Sequence, residues 1–159
     1  MKGRLVAATV AIAGTAVLLA GCGGGGGGDR LSKSQYEQKL RDEGKALQSS
    51  FGAISANPSS LKQLAASVSK AQTAAKNAAS DLDNLKPPKD AAADNQKLVK
   101  ALNVIATEMG KLKAAAAKGD QVAAAKVSQD INASQALKEA QDATNDLKKK
   151  GYSIGALGQ

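Results

Sequence analysis

The feature that most constrains the fold is an unbroken stripe of apolar and small residues between positions 61 and 85. Its members alternate in spacing between three and four residues: Leu61, Leu64, Val68, Ala71, Ala75, Ala78, Leu82 and Leu85. This spacing places their side chains on one face of a helix and is typical of a helix packed lengthwise against its neighbours. Two prolines follow Lys86. Because proline lacks an N–H and disfavours helix in the residue before it, we expect the helix to end there.

Three further segments carry the same helical period. The first is predicted to open at Ser34, where Ser34-Gln35-Tyr36-Glu37 fits a reciprocal capping box. Another opens near Asp90 and stops at Gly119, and the last runs from its N-cap, Asp120, to Gly151. Their stripes are Tyr36, Leu40, Leu47, Phe51 and Ile54; Ala91, Asn95, Leu98, Leu102, Ile105, Met109, Leu112 and Ala116; and Val127, Ile131, Ser134, Leu137, Ala140, Thr144 and Leu147.

These four segments predict an all-α fold. Long helices joined by connections of a few residues run antiparallel to their neighbours, so residues 34–150 are predicted to form an antiparallel up-down-up-down four-helix bundle. An elongated three-helix coiled coil, with the last helix loosely packed or exchanged between chains, is the alternative. The tail, residues 151–159, is predicted to cover one bundle end with Tyr152, Ile154 and Leu157; a short partner-binding peptide is the alternative.

The N-terminal segment has the pattern of an export signal. Lys2 and Arg4 precede an uncharged apolar run over residues 5–20, which is typical of a secretory signal peptide. The run is shorter than the roughly 20 residues that a helix needs to span a bilayer. It closes with Leu19-Ala20-Gly21-Cys22, in which Cys22 is the single cysteine of the chain. We therefore expect residues 1–21 to be a signal peptide.

Leu19-Ala20-Gly21-Cys22 resembles the lipobox of bacterial lipoproteins. The resemblance implies that the Cys22 sulfur receives a diacylglyceryl group and that cleavage falls between Gly21 and Cys22. It also implies that the protein is held at the outer face of the cell membrane. Two acyl chains make a stable anchor where one chain holds a protein only marginally.

A glycine run, residues 23–28, separates Cys22 from the first predicted helix. Glycine has no Cβ and loses much entropy on ordering, so residues 22–33 are interpreted as the lipidated cysteine and a tether. A phosphate-binding loop is not indicated, because no strand precedes the glycines and no Gly-Lys-Ser/Thr follows them.

The residues available for catalysis are few. Histidine is absent and there is one cysteine, which excludes His-based acid/base chemistry, His metal sites and thiolate zinc clusters. Asp81 and Asp83 point apart on a helix, and Asp142 and Asp146 lie on a charged face, so solvated ion pairs are expected. Asn95, in an apolar stripe, is expected to fix helix register. The sequence therefore predicts no enzyme, no cofactor and no metal.

The whole chain has a net charge of +8, and +6 remains once residues 1–21 with Lys2 and Arg4 are removed. The lysines are spread over all four predicted helices, and only residues 148–150 form a basic run. Nucleic acid is not an expected partner, because Tyr36, Phe51 and Tyr152 alone cannot build a stacking platform. Anionic lipid headgroups or wall polymers could attract such a surface. A face of interspersed, solvated charges is the alternative.

In overall layout the chain resembles small Ala-rich helical lipoproteins of high-GC Gram-positive bacteria. Besides the signal and lipobox, the matching features are Ser34-x-Tyr36, Leu85-Lys-Pro-Pro88, Asp90-Ala-Ala-Ala-Asp94 and Gly151-Tyr152. The resemblance implies a surface-anchored bundle without an assigned role or active site.

The sequence thus predicts a lipid-anchored, extracytoplasmic helical bundle that acts as a non-catalytic binding or structural module at the cell envelope. An envelope protein as partner is left open. The alternative function is a carrier of a small apolar ligand, held in a crevice between helices around Phe51, Met109 and Leu137.

Overall fold

A computed structural model describes residues 30–55 and 60–155 of the chain. Within these two ranges the regular structure is helical and no strand occurs, which confirms the predicted all-α class. The helices are α1 (Lys33–Ser55), α2 (Leu61–Asp83), α3 (Ala92–Lys118), α4 (Gln121–Ala133) and α5 (Gln135–Lys149), and a 3-10 turn over Lys89–Ala91 precedes α3. Gly21, Cys22 and the glycine run lie outside the described residues.

The start of α1 differs from the prediction. Ser32 and Gln35 form the capping box: the Gln35 backbone N–H donates to Ser32 Oγ at 3.3 Å, and the Ser32 N–H donates to Gln35 Oε1 at 2.9 Å. The predicted N-cap at Ser34 is therefore wrong by two residues, because Ser-x-x-Gln at position 32 forms the reciprocal pair of bonds one half-turn earlier, with the N–H groups of Gln35 and Ser32. The side chain of Glu37 is consequently available for a contact elsewhere.

The connection from α3 to α4 confirms the prediction. Gly119 ends α3 in the left-handed region, with φ of 74°, and Asp120 caps α4 by accepting from the Ala123 N–H at 2.9 Å. The predicted last helix is interrupted at Ser134, whose Oγ accepts from the Leu137 N–H at 3.3 Å. A short hydroxyl side chain can accept from a backbone N–H in this way, so Ser134 caps α5 instead of continuing an apolar stripe.

The most extensive helix pair is α2 with α3. Asn95 Nδ2 donates to the Leu82 carbonyl at 2.9 Å, and Gln72 Nε2 donates to the Ala106 carbonyl at 3.0 Å. The start of α3 therefore lies beside the end of α2, and the middle of α3 lies beside the middle of α2. The two helices run in opposite directions. The buried face of α2 is mostly small, which lets the backbones approach closely; it consists of Val68, Ala71, Ala75, Ala78, Ala79 and Leu82.

Two apolar clusters fill the interior. The larger one joins α1, α2, α3, α5 and the C-terminal tail, and its biggest side chains include Tyr36, Leu40, Leu82 and Leu147. The smaller one joins α2, α3 and α4 through Val68, Ala71, Met109, Leu112 and Val127. Phe51 of α1 packs against both clusters. α1 thus covers the length of the interior, while α4 and α5 each cover one part of it.

The described surface is mostly polar. Val122 on α4 is a large apolar residue that is 81% exposed. Within the described ranges, no helix combines the length and the hydropathy that crossing a membrane would require.

The same substitution at a buried and an exposed valine tests this packing. We expect Val68→Ala to lower the free energy of unfolding by about 2 to 3 kcal/mol, because two buried methyl groups are lost and a cavity remains. Val122→Ala should change it by less than about 0.5 kcal/mol. Urea unfolding followed by circular dichroism measures both values, and equal effects would contradict the assigned burial of Val68.

Candidate functional site

The predicted lipidation site lies outside the described residues, but the place where the chain enters the fold is defined. The Leu31 N–H donates to the Lys86 carbonyl at 2.8 Å, and Arg30 Nη1 donates to the Pro87 carbonyl at 2.9 Å. These bonds join the start of α1 to the connection between α2 and α3. The last turn of α5 and the tail reach the same place. We call residues 30–33, 84–91 and 148–155 the entry end.

A buried polar contact lies just inside the entry end. Asn95, which is 4% exposed, accepts from the Tyr36 hydroxyl at 3.0 Å through Oδ1 and donates to the Leu82 carbonyl at 2.9 Å through Nδ2. Three helices are thereby joined by one amide side chain. The predicted role of Asn95 as a register-fixing residue agrees with this geometry.

A second polar contact joins α3 to the end of α5. Asp94, 2% exposed, accepts from Lys150 Nζ at 2.6 Å, and the same ammonium donates to the Asp90 carbonyl at 2.7 Å. The hydrogen bond to Asp94 raises the pKa of Lys150. Lys97 lies 4.0 Å from the other oxygen of Asp94, so this buried carboxylate has cations on both sides.

The tail closes over these contacts. Tyr152 donates its hydroxyl to Asp90 Oδ1 at 2.8 Å and meets the Tyr36 ring edge-on, with centroids 5.8 Å apart. Lys33 Nζ lies 4.8 Å from the centroid of the Tyr152 ring and donates to the Lys150 carbonyl. Burial raises the pKa of Tyr152 to about 12, with the Asp90 hydrogen bond adding to the shift; burial also raises the pKa of Tyr36.

The described part of the tail packs against the helices. Tyr152 and Ile154 are buried in the larger cluster, and the Ser153 N–H donates to Glu37 Oε1 at 3.0 Å. Gly155 approaches α1 with φ of 56°, and a Cβ there would lie 2.9 Å from Arg41 Cγ, so glycine suits the position. Leu157, the third residue predicted for the cover, lies outside the described residues.

The carboxylate pairs are on the surface. Asp81 and Asp83 are both exposed and line different shallow grooves, and Asp142 is exposed. Asp146 forms an ion pair with Lys149 at 3.4 Å. Among the described residues, no group of three or more His, Cys, Asp or Glu side chains is placed to hold a metal ion.

Two of the residues named for an apolar crevice contribute to the interior instead. Met109 is 6% exposed within the smaller cluster, and Phe51 packs against both clusters. Leu137 is half-buried on α5. An open groove of about 500 Å³ lies elsewhere, along α3 and the end of α2, and is lined by Asp83, Gln96, Val99, Lys100, Asn103, Val104, Thr107 and Glu108.

Sequence reasoning missed the Asp94–Lys150 pair and the partners of Asp90. The two ends of the pair are 56 residues apart, so no local pattern relates them. The available signal was Asp94 itself, which directly precedes a stripe position at the start of a helix and therefore borders the interior. Where these helix ends meet, the polar side chains form hydrogen bonds with one another, as they do in networks that stabilise a fold.

Comparisons of the chain with protein-family models, with curated proteins and with solved structures find no match. The described residues form an all-α structure, and their buried polar contacts are gathered where the ends of the helices meet.

An Asp→Asn exchange at two positions tests the junction. Asp94→Asn should lower the free energy of unfolding by about 1 to 3 kcal/mol, because the buried partner of Lys150 loses its charge and half of its acceptors. Asp142→Asn, on the exposed surface, should change it by less than about 0.5 kcal/mol. Urea titrations at neutral pH measure both, and a silent Asp94→Asn would show that the pair does not stabilise the fold.

The tyrosines provide a pH test, because the chain contains only Tyr36 and Tyr152. Tyrosinate absorbance of the folded protein should appear well above pH 10, with Tyr152 near pH 12, and should return to about pH 10 in urea. Since the folded pKa is raised, the contribution of Tyr152 to stability is complete below pH 10 and is lost as the pH rises toward 12. Tyr36→Phe and Tyr152→Phe isolate each phenol. Titration of both at pH 10 in the folded state would contradict the assigned contacts.

Proposed function

We propose that this chain is a lipid-anchored, extracytoplasmic helical-bundle protein that acts as a non-catalytic binding or structural module at the cell envelope. The observation that carries the proposal is the position of Cys22. The only cysteine in the chain lies two residues after the end of the uncharged apolar run, and it closes a lipobox-like Leu19-Ala20-Gly21-Cys22. In this proposal residues 1–21 are removed as a signal peptide and the Cys22 sulfur carries the lipid.

The place where the chain enters the fold supports this arrangement. Arg30, the first described residue, lies at an end of the helices and not on a flank. Eight residue steps separate it from Cys22, so the two Cα atoms can be at most about 29 Å apart. A lipid on Cys22 would therefore hold the helices close to the outer face of a bacterial cell membrane.

We further propose that residues 34–150 form an up-down-up-down bundle in which α4 and α5 together act as the fourth helix. The opposed contacts of α2 and α3 support this, as does the tight turn at Gly119. The C-terminal end of α5 returns to the entry end, where Lys150 contacts Asp94, as the last helix of such a bundle would.

A non-catalytic role agrees with how the polar side chains are used. The buried polar groups of Asn95, Asp94 and Tyr36 are hydrogen-bonded to other residues of the chain. In this proposal the membrane is contacted through Cys22, with neither nucleic acid nor metal as a partner.

Metabolic labelling with a clickable palmitate analogue in a bacterial host tests the anchor. The full-length chain should incorporate the label and sediment with membranes, because two acyl chains hold it there. Cys22→Ser should abolish both the label and the membrane association.

Ser49→Cys provides a matched control, since it adds a cysteine on the exposed surface of α1 without altering the lipobox. When combined with Cys22→Ser, it should not restore labelling. Absence of label from the unaltered chain, or label that persists after Cys22→Ser, would overturn the proposal.

A further inference from the structure

We infer that the entry end is a membrane-facing surface that binds anionic lipid headgroups through exposed basic side chains. The inference rests on the proposed function for its geometry, because lipidation of Cys22 would bring this end, and not the opposite one, to the bilayer. It adds a second contact with the membrane that does not depend on the acyl chains.

Charge is distributed unevenly at the entry end. Its exposed basic residues are Arg30, Lys33, Lys86, Lys89, Lys148, Lys149 and Lys150, and its one acidic residue is Asp90, which accepts from Tyr152. These cations come from three separate parts of the chain, and the contacts between α1, α3 and the tail gather them at one end.

The neighbouring carboxylates one turn further in are largely engaged. Asp94 is buried against Lys150, Glu37 accepts from the Ser153 N–H, and Asp146 pairs with Lys149. Asp83 is the exposed exception. Lys89 and Lys149 are exposed, and the Lys149 side chain retains 78% of its accessible surface despite its ion pair. An approaching anionic surface therefore meets ammonium groups first.

The short distance along the chain between Cys22 and Arg30 favours a lipid surface as the partner of the entry end. Arg30 is at most about 29 Å from the Cα of Cys22 along the chain. α3 is roughly 40 Å long, so lysines at its far end lie well beyond the Debye length of about 8 Å at physiological ionic strength. When the entry end faces the bilayer, its basic residues can therefore act on the headgroups, whereas lysines at the far end of α3 cannot.

Vesicle binding of the chain from residue 22 onward, with Cys22→Ser, tests the inference without any acyl chain. This chain keeps every described residue. It should sediment with phosphatidylcholine vesicles that contain phosphatidylglycerol more than with pure phosphatidylcholine vesicles, and added salt should release it. Because each exposed lysine near an anionic surface strengthens binding by about two- to fivefold, Lys89→Gln with Lys149→Gln should weaken the partition coefficient about 4- to 25-fold.

A charge-matched variant at the far end of α3 is the control. Lys113→Gln with Lys118→Gln removes the same net charge from exposed positions and should change the partition coefficient less than twofold. Circular dichroism establishes that both variants are folded. Equal losses in the two variants, or equal binding to neutral and anionic vesicles, would overturn the inference. So would binding to soluble polyphosphate with the same dependence on Lys89 and Lys149, because the occupant would then be a free polyanion.

Failure of the lipid-binding surface can be distinguished from failure of the proposed lipid anchor. A chain that takes up the palmitate label but ignores anionic vesicles overturns only the docking surface. A chain that binds the vesicles through Lys89 and Lys149 but takes up no label retains the surface and overturns only the lipidation of Cys22.

Discussion

The close approach of α2 to α3 sets the geometry on which the other helices depend. Small side chains on the buried face of α2 let amide groups reach across: Asn95 bonds the Leu82 carbonyl and Gln72 bonds that of Ala106. Gly110 makes room for the second bond, since a Cβ there would lie 2.7 Å from Gln72 Nε2. A shift of one residue, about 1.5 Å along the helix axis, would break both bonds, so they fix the register of the pair.

The entry end follows from that register. Because the start of α3 is held against the end of α2, Asp94 and Asn95 lie where the last turn of α5 and the first turn of α1 converge. Tyr36 reaches Asn95 from one side, and Lys150 reaches Asp94 from the other. Tyr152 of the tail packs beside Tyr36, and the burial of Asp94 and Asn95 strengthens their polar contacts. The result is a helix-end junction built from residues distant in sequence.

The helical stripes and their stops were readable from the sequence because both are local. Apolar spacing located α2 and α3, and the glycine and aspartate at 119 and 120 placed the turn between α3 and α4. The N-cap of α1 was predicted wrongly at Ser34. Ser32 precedes Gln35 at the same distance, and the structure uses that pair, while Glu37 accepts from the Ser153 N–H. The Asp94–Lys150 pair was beyond local reasoning, since its partners meet only after the helices have packed.

In the proposed arrangement the junction also has a mechanical consequence. A pull on a tether attached at Cys22 acts first on the bonds from Leu31 and Arg30 to the carbonyls of Lys86 and Pro87. These carbonyls belong to the connection between α2 and α3, so the load passes into the most extensively packed pair of helices and α1 does not carry it alone. Lys33, bonded to the Lys150 carbonyl, passes part of it to α5. An anchor entering on a helix flank would have no such distribution, whereas entry at this end lets the buried core resist removal of the first helix.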